Sequence, residues 1–315
     1  MLARVANNLF WMGRYIERAE HIARYLNVNY FSSLDAPNEQ SQSRQLVLRS
    51  ILFMVDNIEI DPQETLDEGE VLYDAALNPN KHYSVINAVK YARENANGAR
   101  DLISTELYES LNKFYHFVLN YDATLFKQKG LYDFTVQVAE STAILRGKIR
   151  GTLLHDEVYA IIMLGVNIER ASQISRIVHA KHRDAQQAMG SYTDQFNKSY
   201  EWSTLLKCAE SYDMNRRYYK KTPTATTAIE FLILHPQCPR SVMNSIDQVH
   251  KHIDVLNNQN FTTKDSAAYM IGRTQAYYKF LRVEQIETNV EKHILEIQNT
   301  LYEIATKIEE EYFNY

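Results

Sequence analysis

A row of apolar residues near the start of the chain fixes the first element of structure. Its members are spaced alternately four and three residues apart, and they are Val5, Leu9, Met12, Ile16, Ala19, Ala23, Leu26 and Tyr30. This spacing places them on one side of an α-helix, in a stripe of the kind that packs against a nearly parallel helix. We expect the helix to end before Asp35-Ala-Pro37, because proline cannot continue a helix and disfavours helical geometry in the residue before it.

The rest of the chain has the same helical character. Glycine and proline supply only 15 of the 315 residues, which leaves few positions for the tight turns of a sandwich or barrel. No segment alternates apolar and polar residues for long enough to indicate a sheet. The predicted fold class is therefore all-α, a bundle of long helices. Beyond the first helix, the predicted helices cover about 39–54, 84–96, 99–126, 131–150, 156–188, 194–221 and 229–234, and a last one carries Ile286, Val290, Ile297, Leu301, Ile304 and Ile308.

Local sequence also predicts some helix boundaries. Ser84 is expected to cap one helix N-terminus, and Thr193 or Asp194 to cap another, because their side-chain oxygens can accept hydrogen bonds from free backbone N–H groups. The acidic residues 61–69 are expected to form a loop with at most one helical turn. Residues 127–130 are expected to form a connection between two helices.

Two segments of the chain repeat each other. A shift of 152 residues aligns 9–26 with 161–178, and seven of the 18 aligned positions are identical. The identical pairs are Gly13/Gly165, Ile16/Ile168, Glu17/Glu169, Arg18/Arg170, Ala19/Ala171, Ile22/Ile174 and Arg24/Arg176. Any two amphipathic helices share apolar spacing, but they do not so readily share glycine, Glu-Arg and arginine in one register. We predict a single helical domain over 1–315 with two related halves, about 1–130 and 131–315, packed with approximate two-fold symmetry.

Each repeat carries polar residues on one face of its helix. The two sets are Gly13, Glu17, Glu20 and Arg24 in the first repeat, and Gly165, Glu169, Ser172 and Arg176 in the second. A glycine lets another backbone approach closely, so a glutamate one turn later lies where water is scarce. Such a carboxylate must be paired or have a raised pKa. The available partners are the arginine seven residues later, or Arg18 and Arg170 from the neighbouring half.

Two interpretations of these residues stay open. In the first, which we favour, buried bidentate Glu–Arg pairs fix the register of the helices. In the second, the same groups line a polar cleft that binds an anionic or amide substrate. The residues considered for either role are Gly13, Arg14, Glu17, Arg18, Glu20, Arg24, Arg93, Glu94, Arg100, Glu169, Arg170, Arg176 and Arg240. For Arg93, Glu94 and Arg100, we favour a solvated helix face with local pairs.

Charge and motifs argue against several function classes. The net charge of −5 gives no general attraction to nucleic acid or to an anionic membrane, and no stretch is apolar enough for a spanning helix. No glutamate has a histidine three residues later, as a di-iron bundle requires. We expect no metal and no cofactor. The N-terminus does not read as a signal peptide and there are only two cysteines, so we expect a cytoplasmic protein.

Four segments of the sequence are similar to the signatures of one family. They are Met-Leu-Ala-Arg-Val-Ala-Asn-Asn-Leu-Phe-Trp-Met-Gly-Arg-Tyr-Ile-Glu-Arg-Ala-Glu from Met1, Ala-Arg-Glu-Asn-Ala from Ala92, Leu-Gly-Val-Asn-Ile-Glu-Arg-Ala from Leu164, and Phe-Leu-Ile-Leu-His-Pro-Gln-Cys-Pro-Arg-Ser-Val from Phe231. They resemble, in the expected order, the bacterial alpha-E domain family, named for its helices and its Glu-Arg motif. Val166 departs from the pattern, because the family usually has arginine there, whereas the matching Arg14 is kept. If there is a site, the first half is the better candidate.

The resemblance implies a role connected with amide or peptide bonds. Genes of this family commonly neighbour, or are fused to, genes for circularly permuted ATP-grasp ligases and transglutaminase-like cysteine proteases. The implied partners are therefore an ATP-grasp ligase and a transglutaminase-like protease, which would supply the ATP and thiol chemistry. Our leading hypothesis is a non-catalytic helical subunit or scaffold that works with the ligase and helps to hold its peptide-like substrate.

Two other functions stay open. The protein is in one case itself an enzyme acting on amide or peptide bonds, with Glu17 or Glu169 as general acid or base and Arg18 or Arg24 stabilising charge. In the other case it is a purely structural homo-oligomer, and its interface is the C-terminal helix rich in isoleucine and leucine.

Overall fold

The chain forms a bundle of helices. A computed structural model describes residues 2–34, 43–188, 195–257 and 263–313, and these residues contain fifteen α-helices and no strand. The predicted all-α class is confirmed. The helices are α1 (Ala3–Leu34), α2 (Arg44–Asp56), α3 (Glu68–Ala76), α4 (Val85–Gly98), α5 (Thr105–Leu119), α6 (Ala123–Leu125), α7 (Leu131–Thr152), α8 (Glu157–Ala188), α9 (Gln195–Cys208), α10 (Tyr212–Tyr219), α11 (Ala225–Leu234), α12 (Val242–Leu256), α13 (Ala267–Phe280), α14 (Val283–Glu287) and α15 (Val290–Ile308).

Polar side chains set the start of several helices. Ser84 accepts a hydrogen bond from the third backbone N–H of α4, so the predicted cap is confirmed. Ser43 caps α2 in the same way, and its own backbone is not helical. This helix therefore begins at Arg44. Asp67 caps α3, which begins at Glu68, so the segment 61–69 is a loop that ends in the start of a helix, in agreement with the prediction of a loop with at most one helical turn.

Some predicted boundaries lie outside the described residues. They are the end of the first helix at Asp35 to Pro37, the start of the second near residue 39, and the cap at Thr193 or Asp194. Within the described part, the first helix is continuous from Ala3 to Leu34.

The predicted helix over 99–126 is wrong. The chain makes a 3-10 turn at Arg100–Leu102, and its backbone is extended at Ile103. Ser104 then caps α5, which ends at Leu119. Residues 99–126 contain neither glycine nor proline, so the sequence showed no sign of a break. A new helix starts here because the small polar Ser104 can accept a hydrogen bond from a free backbone N–H group.

The predicted connection at 127–130 is also wrong. Residues 126–130 form a π-helical turn that leads directly into α7, with helical geometry on both sides. The hydroxyl of Tyr121 donates a hydrogen bond to the carbonyl of Gly130. Polar residues and a glycine suggested a loop, but the aromatic packing of Phe126 on Phe134 and Tyr121 holds the segment in a helix.

Two further breaks were not predicted. The helix expected over 194–221 is divided into α9 and α10, and between them Glu210 has a left-handed backbone with φ of 53°. The last predicted helix is also divided. Ile286 lies in the short α14, and Asn289 caps a separate α15.

The two longest helices, α1 and α8, form the centre of the bundle and pack on each other. Their neighbours correspond: α1 packs on α4 and α7, and α8 packs on α12 and α15. The helix that follows each one also crosses to the other, since α2 contacts α8 and α9 contacts α1. The repeat of two halves stays a prediction. The packing places α7, which follows the predicted boundary at residue 130, against α1 and α5.

The apolar face of α15 is used inside the chain. Ile294, Ile297 and Leu301 are buried, and the helix packs on α8. This face is therefore not available as the oligomer interface that the sequence suggested. Among the described residues, no helix has the length and apolar character needed to cross a membrane.

Candidate functional site

The site is built around a close crossing of α1 and α8. A methyl group on Gly13 would overlap the carbonyl oxygen of Ile162, and one on Gly165 would overlap the carbonyl oxygen of Phe10. These contacts are reciprocal, because Phe10 and Ile162 are themselves 152 residues apart. Only glycine allows two backbones to approach this closely. Because the two helices are in contact at these glycines, the side chains one helical turn later on α1 and α8 face each other across the interface.

On one side of the crossing, Glu169 is enclosed by nitrogen donors. Its carboxylate accepts hydrogen bonds from Arg18 Nε at 2.7 Å and Arg18 Nη2 at 3.0 Å, a bidentate pair. Arg14 Nε donates to the same carboxylate at 3.0 Å, and Gln173 Nε2 donates at 2.9 Å. The side chain of Glu169 is only 1% exposed. Both oxygens are thus satisfied within the protein.

On the other side, Glu17 is paired in the mirrored way. Arg170 donates to it from Nε at 2.6 Å and from Nη2 at 3.0 Å, again as a bidentate pair. Arg240 Nη1 lies 3.3 Å from the same carboxylate. The ring of His21 bonds to the backbone carbonyl of Glu17 at 2.9 Å. The glutamate side chain is 1% exposed.

Both buried glutamates are held ionised. Burial by itself would raise the pKa of Glu17, but Arg170 first, then His21 and Arg240, bring it well below the usual range. Burial likewise opposes ionisation of Glu169, and Arg18 and Arg14 overcome it, so its pKa is also well below the usual range. Neither carboxylic acid carries a proton near neutral pH.

Histidine does not supply the charge that balances Glu17 at neutral pH. Burial lowers the pKa of His21 to about 4, against the raising effect of Glu17 and with a further lowering by Arg240. The ring is therefore neutral at pH 7. The arginines alone balance the carboxylate.

A second layer of charges lies outside Glu17. Glu20, which is buried, accepts from Arg24 Nη2 at 2.5 Å and from Arg240 Nη2 at 2.7 Å, and its other oxygen pairs with Arg146 of α7. Glu210 closes this layer from the segment between α9 and α10. Its Oε2 pairs with Arg24 Nη1 at 2.5 Å and with Arg240. We call these five side chains the outer cluster.

A family model described as a predicted alpha-helical domain with a conserved ER motif matches residues 1–313. The chain belongs to the Alpha-E family. Neither the curated proteins nor the solved structures include a match to it. The dipeptide Glu-Arg occurs twice in this Alpha-E protein, at Glu17-Arg18 and at Glu169-Arg170. In each, the glutamate pairs with the arginine of the other.

The structure brings most of the candidate residues of this Alpha-E protein together. The glycines and arginines of α1 and α8 meet the two glutamates, and Arg240, whose direction the sequence left open, reaches Glu17 and Glu20. The residues in this group are Gly13, Arg14, Glu17, Arg18, Glu20, Arg24, Glu169, Arg170 and Arg240.

Three candidates lie elsewhere. Arg93 donates to Asn112 at 2.7 Å on the neighbouring α5, and Glu94 is exposed. Arg100 lies over the ring of Tyr108, 4.5 Å from its centre. These three belong to the α4–α5 side of the bundle and are not part of the Glu–Arg network.

Arg176 occupies an unusual position. It aligns with Arg24 in the repeat, but its Nε is buried with no hydrogen-bond partner among the described residues. Burial lowers its pKa, while Glu169 raises it and Arg18 lowers it. Where Arg24 has Glu20 and Glu210, the equivalent of Glu20 on α8 is Ser172, which carries no charge.

Four network residues were missed by sequence reasoning. They are Arg146, Glu210, His21 and Gln173. His21 and Gln173 were within reach, because both lie one turn after a repeat glutamate and are aligned by the same 152-residue shift. Arg146 and Glu210 follow no spacing rule. Their positions depend on the packing of α7 against α1 and on the break between α9 and α10.

Among the described residues, no group of histidine, cysteine, aspartate or glutamate is arranged to hold a metal ion. The two cysteines, Cys208 and Cys238, are buried and unpaired. Burial raises the pKa of the Cys208 thiol to about 12, so it is not a thiolate at neutral pH.

Proposed function

We propose that this Alpha-E protein is a non-catalytic helical scaffold that works with an ATP-grasp amide or peptide ligase and helps to hold its peptide-like substrate. The observation that carries the proposal is that the glutamates of the Glu–Arg pairs are buried and fully hydrogen-bonded within the protein. Both glutamates are 1% exposed, and each accepts two hydrogen bonds from one guanidinium and further contacts from another. Such pairs fix how helices cross and leave no oxygen free for a reacting molecule.

The same geometry disfavours the alternative in which Glu17 or Glu169 is a general acid or base. An effective acid–base group has a pKa near the working pH. Here the arginines hold both pKa values well below the usual range of a glutamate. Such a carboxylate is a poor proton donor and a weak base.

The choice of partner comes from the family resemblance. The resemblance implies two kinds of partner, an ATP-grasp ligase and a transglutaminase-like protease, and these enzymes would supply ATP and thiol chemistry. This chain offers no reactive thiol in the described residues, since both cysteines are buried with raised pKa values. A supporting subunit fits these properties.

The test is to mix the purified full chain with an ATP-grasp ligase from the same organism. We expect a complex in sedimentation velocity and a ligase turnover that changes by several-fold when the chain is present. The chain alone should hydrolyse or form no amide bond with the same substrates. Absence of both association and any change in ligase turnover would refute the proposal.

A single variant separates the scaffold from the enzyme. Glu17→Gln keeps the shape of the side chain and removes its charge. If the variant is folded by circular dichroism and still alters ligase turnover, the scaffold role stands. Amide turnover by the chain alone that is lost in Glu17→Gln would instead establish an enzyme.

A further inference from the structure

The outer cluster has an arrangement unlike the pairs at the centre of the crossing. Arg24 and Arg240 lie between two carboxylates, and each arginine contacts both. One carboxylate, Glu20, is buried. The other, Glu210, is 53% exposed. The two arginines therefore form a site whose inner side is occupied by a fixed anion and whose outer side faces the surface.

Without Glu210, the charged side chains around Glu17 and Glu20 have a net positive charge. Four arginines surround Glu17 and Glu20, and they are Arg24, Arg146, Arg170 and Arg240. Two carboxylates against four guanidinium groups leave an excess of two positive charges, since His21 is neutral at pH 7. Glu210 supplies one negative charge, so one positive charge is still unbalanced after it binds. Guanidinium groups held close together favour an additional or replacement anion.

The backbone at Glu210 is unusual for its residue type. Its φ of 53° lies in the left-handed region, which glycine and asparagine adopt at low cost and glutamate does not. The corresponding turn after α2 has Asn57, with the same φ of 53°. Glutamate adopts this geometry at a higher conformational cost than asparagine.

Glu210 lies with its side chain at the exposed edge of the outer cluster. It belongs to the short segment between α9 and α10, and its side chain contacts the cluster through Oε2. A rotation about its side-chain bonds would bring the carboxylate into water, and Glu20 would still contact both arginines. The vacated position then presents Arg24 Nη1 and Arg240 Nη2 to a ligand.

We propose that Arg24 and Arg240 form a binding site for a carboxylate of a peptide, and that Glu210 is an internal carboxylate that occupies this site until the peptide displaces it. Two sources share this chemistry, an acidic side chain and a C-terminal carboxylate. The inference rests on the proposed role in holding a peptide-like substrate and names the place and the chemical group. A tethered carboxylate competes at a high effective concentration, so it lowers the apparent affinity for a free one.

The test uses three peptides and no ligase, so its outcome is independent of the ligase association. The probes are acetyl-Ala-Ala-Ala-Glu-amide, acetyl-Ala-Ala-Ala-Ala with a free C-terminal carboxylate, and the uncharged acetyl-Ala-Ala-Ala-Gln-amide. Binding to the full chain is measured by isothermal titration calorimetry at low salt. Glu210→Gln should bind a carboxylate peptide at least about tenfold more tightly than the wild type, because the internal competitor is gone. The peptide with the larger gain identifies the source of the carboxylate.

Two more variants keep the test decisive. Glu210→Gly removes the carboxylate and also suits the left-handed backbone, so it should fold and show the same gain. Glu59→Gln removes another exposed glutamate paired with an arginine, Arg183, outside the outer cluster, and should bind like the wild type. The proposal is overturned if neither Glu210 variant gains affinity, if the uncharged peptide binds as well as the charged ones, or if Glu59→Gln shows the same gain.

Discussion

Glu17 and Glu169 occupy equivalent positions on α1 and α8, yet their surroundings differ. Each accepts a bidentate pair from the arginine that follows the other. Around Glu169, the remaining donors are Arg14 and Gln173, which complete the shell. Around Glu17 the shell extends outward into a second layer that reaches the surface at Glu210. The hydrogen-bond network around Glu169 ends within the protein, whereas the network around Glu17 continues to the surface.

The difference arises at a few aligned positions. Four pairs of residues 152 positions apart surround the two glutamates, and they are Arg14/Val166, Glu20/Ser172, His21/Gln173 and Arg24/Arg176. The first three pairs differ in residue type; Arg14 lies at the Glu169 end, and the arginines of the fourth pair have different partners. The Glu-Arg dipeptides occur in both repeats and pair with each other on both sides of the crossing. The positions that differ decide where additional charges collect. This comparison teaches that the two motifs pair in the same way, and that the residues around them make the two ends differ.

The largest expected effect comes from removing each central glutamate. Glu169→Ala and Glu17→Ala should each destabilise the fold by about 3–5 kcal/mol, because each removes a buried carboxylate and leaves a partly buried arginine without its partner. Glu169→Ala should cost more, since Arg14 and Arg18 both lose the carboxylate that lies within ion-pair distance of them in the described part of the chain. In Glu17→Ala only Arg170 is left in this state, because Arg240 keeps Glu20 and Glu210.

Urea denaturation of both variants measures this order. Glu59→Ala, which breaks an exposed pair, is the control and should change stability by at most about 1 kcal/mol. A greater loss in Glu17→Ala than in Glu169→Ala would contradict the comparison.

The next effect tests whether the crossing is reciprocal. Gly13→Ala and Gly165→Ala should each destabilise the protein by about 1–3 kcal/mol or more, because the methyl group overlaps a backbone carbonyl that cannot move alone. Gly147→Ala in α7 is the matched control, since nothing lies within 4 Å of its added methyl group. It should be stabilising by about 0.5–1 kcal/mol. Thermal unfolding that shows one crossing glycine to be dispensable would mean that the two contacts are not equivalent.

A smaller effect separates the aligned arginines. Arg24→Met should destabilise by about 1–2 kcal/mol, because Glu20 loses a charged hydrogen bond. Arg176→Met should be neutral or stabilising by up to about 1 kcal/mol, since the buried Nε of Arg176 has no partner in the described part of the chain. Chemical denaturation of the two variants side by side gives the sign for each. Equal losses would show that Arg176 is held by its charge alone.

The smallest effect at neutral pH is expected for His21→Gln, which copies the Gln173 of the other end. The pKa of His21 is lowered to about 4 by burial, so the unfolded chain binds its proton first as the pH falls below about 6.5. His21 should therefore reduce stability by about 1.4 kcal/mol per pH unit between pH 6.5 and 4. The variant should lose this part of the slope.

Stability measured from pH 7 to pH 5 checks this prediction. This range lies above the window in which Glu17 and Glu169 act. Their lowered pKa values give stability that is present above the usual pKa of glutamate and is lost only as the pH falls below it. A residual slope belongs to other buried histidines such as His252, whose pKa is also lowered to about 4 by burial. An unchanged slope in His21→Gln would show that the ring is not buried in the neutral form.

Sequence reasoning reached the centre of the site but not its outer layer. The repeat predicted two glutamates and two arginines on facing helices. This was possible because the glycine spacing and the helical periodicity can both be read within a single helix. Glu210 could not be placed in this way. Its segment contains neither glycine nor proline, so nothing local announced the break that turns its carboxylate towards Arg24. Arg146 likewise depends on how α7 packs on α1, which no local pattern records.

The same limit explains the errors in the fold. Long amphipathic helices were predicted because periodicity accumulates over many residues. Short segments were not, since a serine cap such as Ser104 or the aromatic packing around Phe126 outweighs the composition of four or five residues. Tertiary contacts decide such segments.

The pairing of residues far apart in sequence also determines when the centre of the protein can fold during translation. Arg170, the partner of Glu17, lies 153 positions later in the chain. A ribosome adds about 5–20 residues per second, so the first helix waits roughly 8–30 s before its partner is made. Throughout that time Glu17 lacks the arginine that pairs with it in the folded protein. Folding of the centre of this protein is therefore an event of the second half of translation.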